Sequence, residues 1–178
     1  MKLIIARHTE TNYNTLKLCN SDPSVTVNLT AKGKKQAQEL ASKLANYNID
    51  KIYISELPRT RETAEYINQY HNLNLIVDPR INENNTGYEG KSLIEWQTKI
   101  LAHNDWWRAK INDGESLEQA YNRTKLFIEG LKKSNSKCPL VVTHGFIVQC
   151  IYKILLDKEI ALNTDYLIQQ GDFAELEL

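Results

Sequence analysis

Four short apolar runs, at residues 3–6, 52–55, 75–77 and 140–143, constrain this chain more than any other feature. None alternates cleanly between apolar and polar side chains, the pattern of strands covered on both faces in a mainly parallel sheet. A fifth run, 173–178, alternates roughly and reads as a last edge strand. Helical stripes lie between the runs. Ala37, Leu40, Ala41, Leu44 and Tyr47 recur at helical spacing behind Thr30, a residue type suited to an N-cap. Thr63, Ala64, Ile67 and Tyr70 mark a helix over 59–70, with Pro58 placed for its first turn. Leu117, Ala120, Phe127, Ile128 and Leu131 mark another over 116–133, and 145–156 is apolar nearly all round, as a buried helix is. Strands alternating with helices predict a three-layer α/β/α fold around a mainly parallel sheet. No linker, repeat or change of composition divides the chain, so one domain over 1–178 is expected. Residues 78–113 depart from the pattern, with Trp96, Trp106, Trp107, several asparagines and little periodicity. They read as an insertion over one end of the sheet, against the plainer reading that the tryptophans fill the core.

Composition narrows the partners. Lys plus Arg number 22 and Asp plus Glu number 22, so the chain lacks the basic balance of a general nucleic-acid binder. The apolar N-terminal run is too short for a signal peptide or a membrane span. Cys19, Cys138 and Cys150 form no C-x-x-C pair and no disulfide framework, and read as reduced thiols of a cytoplasmic protein. Nothing in the pattern fixes an oligomeric state, because an apolar helix face suits a core and a partner equally.

In such sheets ligands sit beyond the carboxyl ends of the strands. The first run ends in Arg7-His8-Thr9-Glu10-Thr11, the second leads through Ser55-Glu56-Leu57-Pro58 to Arg59, and the fourth ends in Thr143-His144-Gly145. Parallel strands would bring Arg7, His8, Arg59 and His144 to one rim. A histidine at a strand end is commonly structural, and an arginine in a first helical turn is commonly a solvated charge; four at one edge suit a phosphoryl group better. Guanidinium forks onto phosphate oxygens, and neutral imidazole can attack phosphorus. A second imidazole and helix N-termini can stabilise the equatorial oxygens. No P-loop, G-x-G-x-x-G, H-E-x-x-H, G-x-S-x-G or zinc spacing competes. Lys32, Lys34 and Lys35 lie on the polar face of their helix and read as solvated.

Arg7-His8-Thr9-Glu10-Thr11-x-x-Asn14 resembles the signature of the histidine phosphatase superfamily, phosphoglycerate mutase-like branch. The likeness continues in order through Leu29-Thr30-x-x-Gly33, Ser55-x-Leu57-x-Arg59-x-x-x-Thr63-Ala64, Glu83 ahead of Gly87 and Glu89-Gly90, Gly114-Glu115-Ser116 with Arg123, and Val142-Thr143-His144-Gly145. The resemblance implies His8 as phosphorylated nucleophile and Arg7, Arg59 and His144 as the phosphate pocket. It further implies Asn14 as an additional phosphate contact, Glu83 as the acid, and no metal or organic cofactor. Three departures stand out: Thr9 where glycine is usual, a Gly87–Gly90 turn one residue short, and an irregular stretch at 20–28. The short turn leaves Glu89, and less so Glu115, as rivals for the acid. The implied activity is hydrolysis of a small phosphorylated metabolite through a phosphohistidine. A phosphoglycerate mutase-type phosphotransfer is the alternative, and a non-catalytic module binding a phosphorylated ligand is a third reading.

Overall fold

The computed structural model describes residues 1–162 and 167–178. The elements in order are β1 (Lys2–Arg7), α1 (Asn12–Thr15), α2 (Ala31–Leu44), β2 (Lys51–Ile54), α3 (Pro58–Asn68), β3 (Leu75–Val77), a 3₁₀ turn (Pro79–Ile81), α4 (Leu93–Leu101), α5 (Leu117–Lys132), β4 (Pro139–Thr143), α6 (Gly145–Leu156) and β5 (Phe173–Glu177). The sheet runs β3-β2-β4-β1-β5, with β5 alone antiparallel to its neighbour. This is the expected α/β/α architecture with a mainly parallel sheet.

Alternation of side chains along each strand builds two cores. Ile4 and Ala6 of β1, with Leu140 and Val142 of β4, pack against Leu40, Leu44, Ala64 and Ile67 of α2 and α3. Leu3 and Ile5, with Val141, pack on the other face against Phe127 of α5 and Ile147 and Ile151 of α6. Each Leu, Ile, Val or Phe side chain among them contributes on the order of 1.5–3 kcal/mol when fully buried. β1 and β4 are central and buried along almost their whole length. β3 departs from the expected double cover: it is an edge strand, with Ile76 and Val77 exposed.

Local signals set the boundaries. The Thr30 hydroxyl accepts from the Gly33 amide and caps α2. Gly33 has to be glycine, because a Cβ there would lie 2.0 Å from the Glu10 carbonyl oxygen. α2 ends at Leu44, so Tyr47 falls outside the helix and packs edge-on against Phe173. Pro58 opens α3 as expected. A reciprocal Ser116–Gln119 capping box starts α5. Within 78–113 the chain forms a helix that the sequence reading missed, α4, capped by Ser92. Trp96 of α4 is buried, while Trp106 and Trp107 pack partly buried against the same core. Lys32, Lys34 and Lys35 are exposed and pair with Glu10, Glu62 and Glu39, the solvated face expected of them.

Candidate active site

The carboxyl ends of β1, β2 and β4 share one edge; Arg7, His8 and Arg59 line one cavity there, and His144 lies buried directly behind His8. Arg7 and His8 follow from β1, Arg59 sits in the first turn of α3, and His144 caps α6 directly after β4. The register pairs Arg7 with Thr143, and the His8 amide donates to the Thr143 carbonyl at 2.9 Å. Adjacent strand ends therefore bring the two imidazoles to 5.2 Å between ring centroids. Arg7, His8, Arg59 and His144 are between 0% and 7% exposed.

Hydrogen bonds fix the orientation of the nucleophile candidate. His8 Nδ1 lies 2.8 Å from the Thr9 carbonyl oxygen, which can only accept, so Nδ1 carries the proton and Nε2 keeps its lone pair. The Arg59 Nε–H group points at that lone pair from 3.1 Å. Burial first, then the charges of Arg59 and Arg7, hold the His8 pKa well below the ordinary histidine value, so the ring is neutral. Burial and the same arginines act likewise on His144. His144 Nε2 meets the Ser55 hydroxyl at 2.8 Å, while its Nδ1 is buried without a partner among the described residues. Arg59 is pushed down to about 10, mainly by burial, and remains a cation at neutral pH.

Glu83 opens onto the same cavity. Desolvation raises its pKa above the usual carboxylate value, against the lowering pull of Arg59, the Asn84 amide and Arg7. Its two rivals are tied up elsewhere. Glu89 accepts from Asn20 Nδ2 and from the Ser21 and Asp22 amides at 2.7–3.0 Å. Glu115 pairs with Arg123 at 2.6 Å and accepts from the Asn85 amide. Asn14 lines the cavity too, but its amide oxygen is engaged by the Thr11 amide and hydroxyl in a capping box, leaving Nδ2 as the donor it can offer.

A profile of the histidine phosphatase superfamily (branch 1) matches residues 3–178. The chain belongs to the histidine phosphatase superfamily. It is 33% identical over 170 residues to "Phosphoserine phosphatase 1" of Hydrogenobacter thermophilus, covering 90% of this chain and 79% of that protein. Identity is 30% over 165 residues to "Probable phosphoglycerate mutase GpmB" of Shigella dysenteriae, covering 88% and 75%. Among solved structures, the alpha-ribazole phosphatase of Shigella flexneri shares the fold at TM-score 0.82 and 24% identity, covering 100% of this chain and 91% of that one. YhfR of Bacillus stearothermophilus superposes at TM-score 0.84 and 24% identity, covering 99% and 91%. The protein is a phosphatase-type enzyme of this superfamily.

Against the family pattern, the departures acquire physical meanings. Thr9, where glycine is usual, turns its donors toward the neighbouring helix. Its amide donates to Thr63 Oγ1 at 3.2 Å and its hydroxyl meets the same atom at 3.3 Å, stapling the turn after His8 to α3. The irregular stretch beginning at Asn20 holds a contact to the clamp that the sequence pattern does not reveal. The Asn20 side-chain oxygen accepts from Arg59 Nη1, and its backbone carbonyl accepts from Nη2 at 3.0 Å. Glu89 in turn orients the Asn20 amide. Ser55 has a role beyond its motif: its hydroxyl links His144 Nε2 at 2.8 Å to the Thr60 hydroxyl of α3 at 2.9 Å. A buried small polar residue between a strand end and an N-terminal helical turn is the signal that could have found it. The short Gly87–Gly90 turn closes with Gly87 at φ +64°, where a Cβ would collide with the Ile111 carbonyl oxygen.

Proposed function

We propose that the protein hydrolyses a small phosphate monoester in two steps through phospho-His8, without a metal ion. One observation carries this reading above the rest: a buried, neutral imidazole whose Nδ1 is committed to a carbonyl presents Nε2 to the Arg59 guanidinium, with the charge of Arg7 acting on the same ring. The incoming phosphate is a stronger acceptor than imidazole and takes over the Arg59 N–H, which frees the Nε2 lone pair to attack phosphorus. Arg7, Arg59 and His144 hold the equatorial oxygens, where charge gathers in the transition state, and Asn14 Nδ2 adds a donor. As the P–N bond forms and the P–O bond breaks, protonated Glu83 gives its proton to the departing alkoxide. Water then attacks the phosphoenzyme, Glu83 takes the water proton, the P–N bond breaks, and phosphate leaves with the acid restored.

The protein named phosphoserine phosphatase 1 supports hydrolysis of a metabolite-sized ester, and the GpmB relative supports a mutase as the second reading. In the mutase a second substrate hydroxyl replaces water, and a bisphosphate would be needed to prime turnover. The residues that meet phosphate charge here are cationic or hydrogen-bond donors, so phosphate release should persist in a chelator. Vanadate, which adopts the five-coordinate geometry of phosphoryl transfer, should inhibit. Activity lost in chelator and regained with magnesium or zinc would overturn the metal-free mechanism. A requirement for a bisphosphate primer would replace the hydrolase by the mutase.

A further inference from the structure

Of the groups that carry the chemistry, Glu83 is the one that regular structure does not place. Arg7, His8 and His144 follow from β1 and β4, and Arg59 stands in the first turn of α3, whereas Glu83 lies in irregular chain between the 3₁₀ turn and α4. A general acid works only within hydrogen-bond reach of the departing oxygen, so that chain has to be held. At its start the Thr143 hydroxyl, one residue before His144, donates to the Ile81 carbonyl at 2.9 Å. Two side chains that do not line the cavity hold the rest. Arg123 of α5 donates from Nη1 to the Arg80 carbonyl at 2.8 Å and from Nη2 to the Glu83 carbonyl at 3.2 Å. The same guanidinium forks onto Glu115, Nη2 to Oε1 at 2.6 Å and Nε to Oε2 at 3.1 Å. Glu115 Oε1 also accepts from the Asn85 amide at 2.9 Å, and the Glu115 amide donates to the Asn85 carbonyl at 2.8 Å. The pair thus grips the main chain at residues 80, 83 and 85, on both sides of the acid.

Geometry rather than charge is what this pair supplies. The charges that act on the Glu83 carboxyl are those of Arg59 and Arg7, whereas Arg123 reaches the Glu83 main chain. Its side chain and that of Glu115 are 21% and 20% exposed, so the ion pair is shielded and bidentate, unlike the solvated pairs that contribute little. A guanidinium can satisfy two carbonyls and a carboxylate together because its N–H bonds diverge in one plane, which an ammonium on a flexible stem does not reproduce. Resting on the reading of Glu83 as the acid, we infer that Arg123 and Glu115 are positioning residues for it, a clip that holds the Glu83 carboxyl where the departing oxygen forms. Loosening the clip impairs proton donation and leaves the clamp and nucleophile intact. The loss therefore grows with the basicity of the leaving group, because a poor leaving group needs the proton and a good one does not.

The test measures kcat/KM for a series of substituted phenyl phosphates of similar size, from p-nitrophenyl to p-methoxyphenyl phosphate. This parameter reports the phosphorylation step, and its slope against the acidity of the released phenol measures the acid's contribution. Arg123→Lys should lower the value for p-methoxyphenyl phosphate by roughly tenfold to a hundredfold, the scale on which a small misplacement acts, and that for p-nitrophenyl phosphate far less, so the slope steepens. Glu115→Gln, which keeps an acceptor for the Asn85 amide but loses the charged fork, should steepen it in the same sense and by less. Arg123→Lys combined with Glu83→Gln should match Glu83→Gln alone, since no acid is left to misplace. An equal loss on every ester, or none, in Arg123→Lys overturns the inference; should that variant fail to fold, the same result in Glu115→Gln does so. A further loss in the double variant beyond that of Glu83→Gln makes the pair merely structural and overturns it too. A slope unchanged in Glu83→Gln removes Glu83 as the acid, and the inference with it, a failure distinct from one in which Glu83→Gln alone steepens the slope.

Discussion

The two ends of the cavity are built differently. At the phosphate end, Arg7, His8, Arg59 and His144 stand on strand ends and first helical turns, and none is more than 7% exposed. Backbone register places them, and each is held by short contacts to Thr9, Asn20, Ser55 or the Ile168 carbonyl. At the leaving-group end, much of the wall comes from irregular chain, Leu18 to Asn20, Glu83 to Thr86 and Ala161 with Leu162, completed by Leu93 and Trp96 of α4 and Phe146 and Gln149 of α6. Single β-bridges, Leu18 to Ser92 and Cys19 to Glu89, join these pieces. The difference teaches that topology supplies the chemistry, whereas loops choose what the chemistry is applied to.

If this division is right, damage at the phosphate end should be large and indifferent to substrate. His8→Ala should lose several orders of magnitude in kcat on alkyl and aryl phosphates alike, because nucleophile and clamp act as a unit. Steady-state kinetics on both ester classes measures it. Glu83 stands at the boundary, and its loss should depend on the leaving group. Glu83→Gln should slow an alkyl phosphate by roughly 10²–10⁴-fold, the usual range for general acid catalysis. With p-nitrophenyl phosphate the first step should suffer far less, and slowed dephosphorylation should show as a burst of nitrophenol. The same selectivity in Glu89→Gln, with none in Glu83→Gln, would break the assignment.

The sequence displayed the two ends unequally for the same physical reason. His8, Arg7, Arg59 and His144 follow apolar strand runs whose parallel alignment could be read from the pattern alone, so their convergence followed from topology. Thr30 and Pro58 announced their helices by cap and first-turn chemistry. Asn20 could not be read this way. Its partnership with Arg59 spans 39 positions and depends on a loop path set by Glu89. α4 was missed because Leu93, Trp96 and Ile100 give a nine-residue helix little more than two turns of periodicity. Pairing of Thr9 with Thr63 spans 54 positions, and no local rule joins a turn hydroxyl to a helix so distant in sequence.

A smaller effect sharpens the boundary between the ends. Asn20→Ala removes an acceptor for Arg59 Nη1 while leaving the backbone carbonyl in place. Loss of one hydrogen bond to a charged group should reduce kcat/KM by roughly tenfold or somewhat more, for aryl and alkyl esters together. An effect confined to one ester class would move Asn20 from the clamp to the leaving-group wall.

Smallest is a difference in pH profile. The first step needs neutral His8 and protonated Glu83. His8 titrates below its ordinary value, so the acid limb should lie below about pH 6.5. Glu83 titrates above its ordinary value, so kcat/KM for an alkyl phosphate should fall as pH rises through that displaced pKa. The alkaline limb should be weaker for p-nitrophenyl phosphate and absent in Glu83→Gln. An unchanged limb in that variant would assign it to another group.

The central claim is that His8 forms a bond to phosphorus. Rapid quench of the wild-type protein with ³²P-labelled substrate, followed by peptide mapping, addresses it directly. The account predicts an acid-labile, base-stable phosphate on the peptide holding His8, formed and consumed at rates compatible with turnover and absent in His8→Ala. Full turnover by His8→Ala, or label found only on another residue, would contradict it.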